Sequence, residues 1–283
     1  MSNVLFDAPG PKAVLRHRLI GAATVLAIIA VIVVVVLKLS SAGQFDYAIW
    51  EPFVTPSIIE ILLEGLRYVL QTAVIAIAGA FAFGLVFGVG KLSDHAWVRW
   101  PSWLVVEFFR AVPLLMLIIF LWSIEGFPLG SLRPLIIGLI LYNGSVLAEV
   151  FRAGINALPA GQSEAAYALG MRKNQVVRII ELPQAIKIML PSITSQCIVA
   201  LKDTSLGFYI LAPGLLFAGR EIYRTFDNRF ATAVVLAAVY IVLNLLLTRL
   251  FQLLQRRFGG ESQAGKDAEQ PVTGAQENTG ATV

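Results

Sequence analysis

The chain has 283 residues, of which 57% are hydrophobic and only 14% charged, and its mean hydropathy is +0.76. Those values lie outside the range of a soluble globular domain and mark an integral membrane protein. The net charge of +4 is spread over loops and forms no single basic stripe, which argues against nucleic acid as a partner. Alternating ten-residue strands are absent, so a β-barrel is disfavoured.

Six apolar stretches, at 19–39, 66–90, 104–124, 132–152, 190–213 and 231–253, are each long enough to cross roughly 30 Å of hydrocarbon as a helix. The expected fold class is therefore all-α, a polytopic membrane protein of about six transmembrane helices. The first run, Leu19 to Leu37, is too long for the core of a secretory signal, and Ser40-Ser41-Ala42-Gly43 is a weak cleavage site; an uncleaved anchor is expected. In the second, Gly84 and Gly88 have the spacing that lets two membrane helices approach closely, with chance in a glycine-rich span as the competing explanation. Gly88-Val89-Gly90-Lys91 lacks both the glycine spacing and the hydroxyl residue of a phosphate loop, so no nucleotide site is expected on this chain. Trp97, Trp100 and Trp103 recur beside Arg99 as an interfacial anchor would. Cys197 is the only cysteine, which leaves no disulfide framework and no cysteine-based metal site. His17 and His95 fall in polar flanks and read as solvated.

Orientation follows from the basic residues, because cytoplasmic flanks hold the excess. With the N-terminus inside, fifteen lysines and arginines fall in cytoplasmic segments and six outside, Lys202 remaining within a span. Both termini are then cytoplasmic: a short N-terminal segment over 1–18, a transmembrane region over 19–258, and a tail over 259–283. That tail is rich in Gly, Glu, Gln, Ala and Thr and has too few large apolar residues to bury a core, so it is expected to be disordered.

The cytoplasmic segment 157–190, between the fourth and fifth spans, is unusually polar. Pro159, Gly161 and Ser163 supply helix-start signals, and Glu164 is expected in the first turn, where a carboxylate suits the positive end of a helix. Gly170 is placed to end this helix in a left-handed conformation. A second helix, about Lys173 to Leu182, sets apolar against charged residues and is expected to stop at Pro183. Two short helices resting on lipid would satisfy that pattern, but would not require the small face of Ala165, Ala166 and Ala168.

Glu164-Ala165-Ala166, with Gly170 four positions after Ala166 and Ile180-Glu181-Leu182-Pro183 after nine more residues, resembles the EAA loop of permeases from bacterial ATP-binding-cassette (ABC) importers. Gly65 to Thr72, Val106-Glu107-Phe108-Phe109-Arg110 with Pro113-Leu114-Leu115, Ala148 to Ile155 and Leu201 to Leu206 are similar to the polar amino-acid permeases of that class. The chain departs from their pattern at Ala111-Val112 and at Asn143-Gly144-Ser145. The resemblance covers about residues 60 to 257. It implies a type I importer core of five helices, with the first span as an additional anchor, in a bacterial inner membrane. It implies a coupling helix, carried by Glu164, Ala165, Ala166, Gly170, Ile180, Leu182 and Pro183, that seats on a separate ATPase dimer. It also implies a second permease subunit, an identical copy or a relative, and an extracytoplasmic amino-acid-binding protein. ATP and magnesium would then belong to the partner ATPase, leaving no cofactor, metal or catalytic residue here. Glutamate is the preferred substrate, with glutamine, aspartate, arginine or histidine as alternatives.

Lys202-Asp203-Thr204-Ser205 is expected about twelve residues into the fifth span, where charges are costly unless paired or hydrated and default to function. With Asn143 and Glu149 of the fourth span they form the candidate substrate pathway. A structural ion pair between Lys202 and Asp203, or of either with Glu149 or Arg152, is the competing expectation. Adjacent helix positions point about 100° apart, so Lys202 and Asp203 are expected to face different neighbours. A passive channel or secondary transporter is the alternative function; no internal repeat of the kind such transporters carry is visible.

Overall fold

The computed structural model describes residues 11–124 and 126–259. The expected tail lies outside the described residues except for Gly259. Among the described residues every regular element is helical. The chain forms two compact units, one of the residues up to Ile61 with Gly219–Val235, the other of Leu62–Ala218 with the residues from Leu236 onward.

In the first unit α1 (Pro11–Ser41) is continuous and none of its most apolar window is buried, as a helix solvated by lipid on all sides would be. It starts earlier than the predicted span because Lys12, Arg16 and Arg18 are good helix formers. Gly43, at φ +67°, turns the chain into α2 (Tyr47–Trp50) and a 3-10 turn over Glu51–Val54. Asn228 is fully buried. Its Nδ2 donates to the Ile49 carbonyl at 3.1 Å, and its Oδ1 accepts from the Thr232 hydroxyl at 2.9 Å. An orphan amide would be expensive there, so these two bonds tie the α2 region to the last helix.

In the second unit α3 (Pro56–Lys91), which begins in the first, leads to the third predicted span. That span is not one helix. α4 (Ala96–Ala111) and α5 (Leu114–Ile124) meet at a bend of 101°. Pro113 offers no amide hydrogen and pushes Val112 into an extended conformation, φ −78° and ψ 127°, which ends the helix. α6 (Arg133–Asn156) is the most enclosed membrane helix, with 56% of its most apolar window buried. Its Leu135 and Leu139 pack with Ile118 of α5 and Ile210 in one apolar core. Leu147 and Phe151 join Ala80, Ala185 and Met189 in another.

Gly84 and Gly88 earn their spacing here. A Cβ at Gly84 would stand 2.9 Å from Leu147 Cβ, and one at Gly88 2.9 Å from the Ala148 carbonyl oxygen. The two glycines let α3 lie directly on α6, so the motif packs helices within the chain.

The loop helix α7 (Ala160–Ala168) is followed by α8 (Lys173–Gln175), a π-helical turn over Val176–Glu181, and α9 (Leu182–Asp203). A 3-10 segment, Thr204–Ile210, ends at Leu211 in the left-handed region, φ 57°. α10 (Leu215–Phe226) and α11 (Arg229–Gly259) complete the chain. Leu215 packs with Val69 and Leu236.

Three expectations need correction. Pro183 does not stop a second loop helix, because the wider π turn before it removes the usual clash with the preceding carbonyls and the helix runs on into α9. Glu164 is the fifth residue of α7, outside its first turn, because the helix starts at Ala160 directly after Pro159. The fifth span starts earlier than residue 190, so Lys202 and Asp203 close the α-helix, at the break into the 3-10 segment.

Candidate functional site: a coupling loop and a polar pathway

α7 is nine residues of mostly small side chains, and Ala166 is the one buried residue among them. Glu164, Ala165 and Ala168 are exposed, and Leu169 is 83% exposed. Gly170, at φ +80°, ends the helix as expected. Its amide donates to the Tyr167 carbonyl at 2.9 Å and the Met171 amide to the Ala166 carbonyl at 3.2 Å. This pair of bonds is the Schellman closure, which needs a left-handed residue at that position. The Ser163 hydroxyl donates to Glu181 Oε1 at 2.6 Å, and Gln184 Nε2 donates to Gln162 Oε1. The exposed helix is thereby pinned to the π turn and the start of α9. Of the remaining candidates, Ile180 is half-buried while Leu182 and Pro183 are exposed on the same turn.

The loop has a second attachment. Lys173 forms an ion pair with Asp94, which sits between α3 and α4. The hydrogen bond from Lys173, and then its charge, hold the Asp94 carboxyl below its ordinary range, while Asp94 raises the Lys173 ammonium.

The candidate pathway residues separate into two settings. Asn143 is 1% exposed and its Oδ1 accepts from Gln196 Nε2 of α9. Its Nδ2 lacks a hydrogen bond of good geometry, and the Asp203 side chain lies beside it. Lys202 and Ser205 face elsewhere, onto a cavity of about 630 Å³ that Tyr240, Asn244 and Thr248 of α11 also line. Those three occur every fourth residue and so share one face. Tyr240 Oη lies beside Thr204, and Asn244 Oδ1 is buried without a hydrogen-bond partner among the described residues. Thr204 is buried, its hydroxyl donating to the Leu201 carbonyl at 2.7 Å. The divergence of Lys202 from Asp203 is what their helical angle predicts. Neither forms an ion pair among the described residues.

Glu149 has a different role from the other pathway candidates. It accepts from Lys91 Nζ at 2.8 Å and from Arg152 Nε at 3.0 Å. Lys91, its side chain 5% exposed, also reaches Glu107 Oε1 at 3.1 Å, and Arg110 pairs with the same carboxylate at 3.1 Å. A lysine at the end of α3 thus binds α4 and α6 together. The pairing of Lys91 and Arg110 with Glu107, of Lys91 and Arg152 with Glu149, and the Gln196–Asn143 bond were not expected from the sequence. The available signal was two glutamates, Glu107 and Glu149, in otherwise apolar helices, each three residues before an arginine.

A helical membrane protein with an exposed, side-chain-anchored loop helix of small residues beside its spans has the form of a polytopic transporter-type subunit. Residues 80–260 match the family of binding-protein-dependent transport system inner membrane components, and the chain belongs to that family. It is 37% identical over 247 residues to the glutamate transport system permease protein GluD of Corynebacterium glutamicum, covering 83% of this chain and 90% of that one. It is 32% identical to the glutamate/aspartate import permease protein GltK of Escherichia coli O157:H7, over 76% of this chain and 98% of the relative. Among solved structures, an amino acid ABC transporter with histidines superposes with a TM-score of 0.66 at 27% identity, covering 70% of this chain and 94% of the other. The MetNI methionine ABC transporter, in inward-facing conformations, shares the fold at a TM-score of 0.62 and 21% identity, covering 72% and 99%.

Proposed function

We propose that the chain carries a polar amino acid, glutamate by preference, into the cytoplasm as the permease subunit of an ATP-driven importer in a bacterial inner membrane. Both termini lie in the cytoplasm, and α7 docks on a separate ATPase dimer that holds the ATP and magnesium. A second permease subunit completes the pathway and an extracytoplasmic binding protein delivers the substrate. The observation that carries this reading is the exposed α7 helix, closed at Gly170 and braced by Ser163–Glu181. Small side chains let a partner approach the helix backbone, and the surrounding charges select register. ATP-driven closure of the ATPase dimer would draw two such helices together and move α9 through the continuous π turn. In this reading Asp203, beside Asn143, receives the substrate ammonium, while Ser205 faces the separate cavity along α11 and the Thr204 hydroxyl is committed to the Leu201 carbonyl. The ammonium contact recognises the backbone common to amino acids, leaving side-chain choice mainly to the binding protein. Glutamate is preferred because the two permeases compared above are named for glutamate and for glutamate/aspartate transport.

The test has two readouts on the tagged full-length chain expressed with its neighbouring subunits. Purification without crosslinking should recover an ATPase, and reconstituted vesicles should take up labelled glutamate only with ATP. Recovery of the chain alone, with uptake indifferent to ATP, would favour a channel or secondary transporter. In the same assay Asp203→Asn should abolish uptake while the complex still assembles. Unchanged uptake at limiting substrate would remove Asp203 from the pathway.

A further inference from the structure

We propose that the cavity between α4 and the Lys91 ion cluster is a headgroup site for an anionic phospholipid, with Arg99 as its phosphate ligand. The cavity, about 490 Å³, is lined by Lys91, Arg99, Arg152, Glu107, Glu149 and the indoles of Trp100 and Trp103. Its charges do not cancel. Glu149 is occupied by Lys91 and Arg152, and Glu107 by Lys91 and Arg110, so both carboxylates are consumed. Asp94, the remaining acidic group near Arg99, is taken up by Lys173. Arg99 itself is held by the Ser93 and Asp94 carbonyls through one nitrogen, at 3.2 and 3.5 Å. Its other donors have no partner among the described residues, which leaves a planar, permanently charged fork open to an oxyanion.

The surroundings of Arg99 favour a lipid over a free anion. Trp100 and Trp103 stand with ring centroids 5.8 Å apart, and both are exposed. Indoles take up such positions at the level of lipid headgroups. From Trp100 the same face of α4 continues through Leu104 and Phe108, four and eight residues on and both exposed, giving an acyl chain an apolar track that leads directly from the cavity. A basic pocket between membrane helices with an apolar exit is the arrangement that recognises anionic headgroups. A net positive lining selects phosphatidylglycerol-like lipids over zwitterionic ones.

The experiment measures lipid retained by the purified complex after exchange into detergent micelles containing equal phosphatidylglycerol and phosphatidylethanolamine. Arg99→Gln should lower bound phosphatidylglycerol about fivefold, the factor that one cation contributes at an anionic membrane, and leave phosphatidylethanolamine unchanged. Trp103→Ala should act in the same direction, and decides the matter if the arginine variant cannot be recovered. The melting temperature in lipid-free detergent serves as the folding control and should not move. Phosphatidylglycerol retention at the level of the unsubstituted protein in both variants would overturn the proposal. Displacement of the lipid by excess inorganic phosphate would identify a free-anion site instead, and loss of a copurifying subunit with lipid retention unchanged would identify a protein interface.

Discussion

Gly170 and Lys91 show how much a single side chain decides in this molecule. Gly170 sits at φ +80° with nothing within 4 Å of where a Cβ would stand, so a side chain there would meet backbone strain and no clash. Gly170→Val should cost about 1–3 kcal/mol locally and unwind the closure after Ala168. Transport should fall severalfold while membrane insertion, read by protease protection, persists; full uptake with normal ATPase recovery would detach this loop from coupling. Lys91 is the opposite case, a charge worth retaining because two carboxylates surround it. Lys91→Met would leave Glu107 and Glu149 facing each other with only their arginines. We expect a loss of about 2 kcal/mol, below the fully buried figure because both carboxylates remain partly hydrated. Thermal unfolding in detergent measures it, and adding Glu149→Gln to the variant should recover part of the loss.

At the scale of elements, the decisive contacts are α3 on α6 and the loop on the α3–α4 turn. Gly88→Val would drive a branched side chain into the Ala148 carbonyl, 2.9 Å from the first added carbon. About 1–3 kcal/mol of destabilisation is expected, with reduced yield of folded protein by size exclusion; an unaffected variant would show that the helices can separate freely. The Asp94–Lys173 pair should act as a pH-limited tether. The Asp94 pKa is depressed, so its contribution is complete above the ordinary carboxylate range and is lost as pH falls through the lowered value. The Lys173 pKa is raised, so its contribution is complete below the ordinary lysine range and is lost as pH rises through the raised value. Between about pH 5 and pH 10 the tether is constant. Exchanging the two residues, Asp94→Lys with Lys173→Asp, should restore whatever uptake Lys173→Asp alone removes. Failure of the exchange would make the pair a passive surface contact.

For the whole molecule the testable quantity is orientation. A reporter fused after Gly259 should be cytoplasmic and one inserted near Asp46 external, the expectation set by the excess of basic residues in the segments assigned to the cytoplasm. The reverse result would invert the assignment of the 157–190 loop to the cytoplasm and leave α7 unable to meet an ATPase.

What the sequence determined by itself was whatever depends on composition and on local backbone chemistry. Long apolar runs must become helices in a bilayer because no other open structure satisfies their amides there, and all six appear as helical segments. The glycine stop at 170 was equally legible, since only glycine enters the left-handed region without strain. Tertiary structure decided the rest, for three physical reasons. Proline effects depend on the carbonyls around them: Pro113 breaks the third span by 101°, whereas Pro183 is absorbed by a π turn. Partners far apart in the chain cannot be read from either side alone, so Lys91 passed as a basic flank until α4 and α6 brought Glu107 and Glu149 to it. The facing of adjacent residues becomes specific only when neighbours are present: the angle between Lys202 and Asp203 was foreseeable, but only packing put Asn143 beside one and α11 across a cavity from the other.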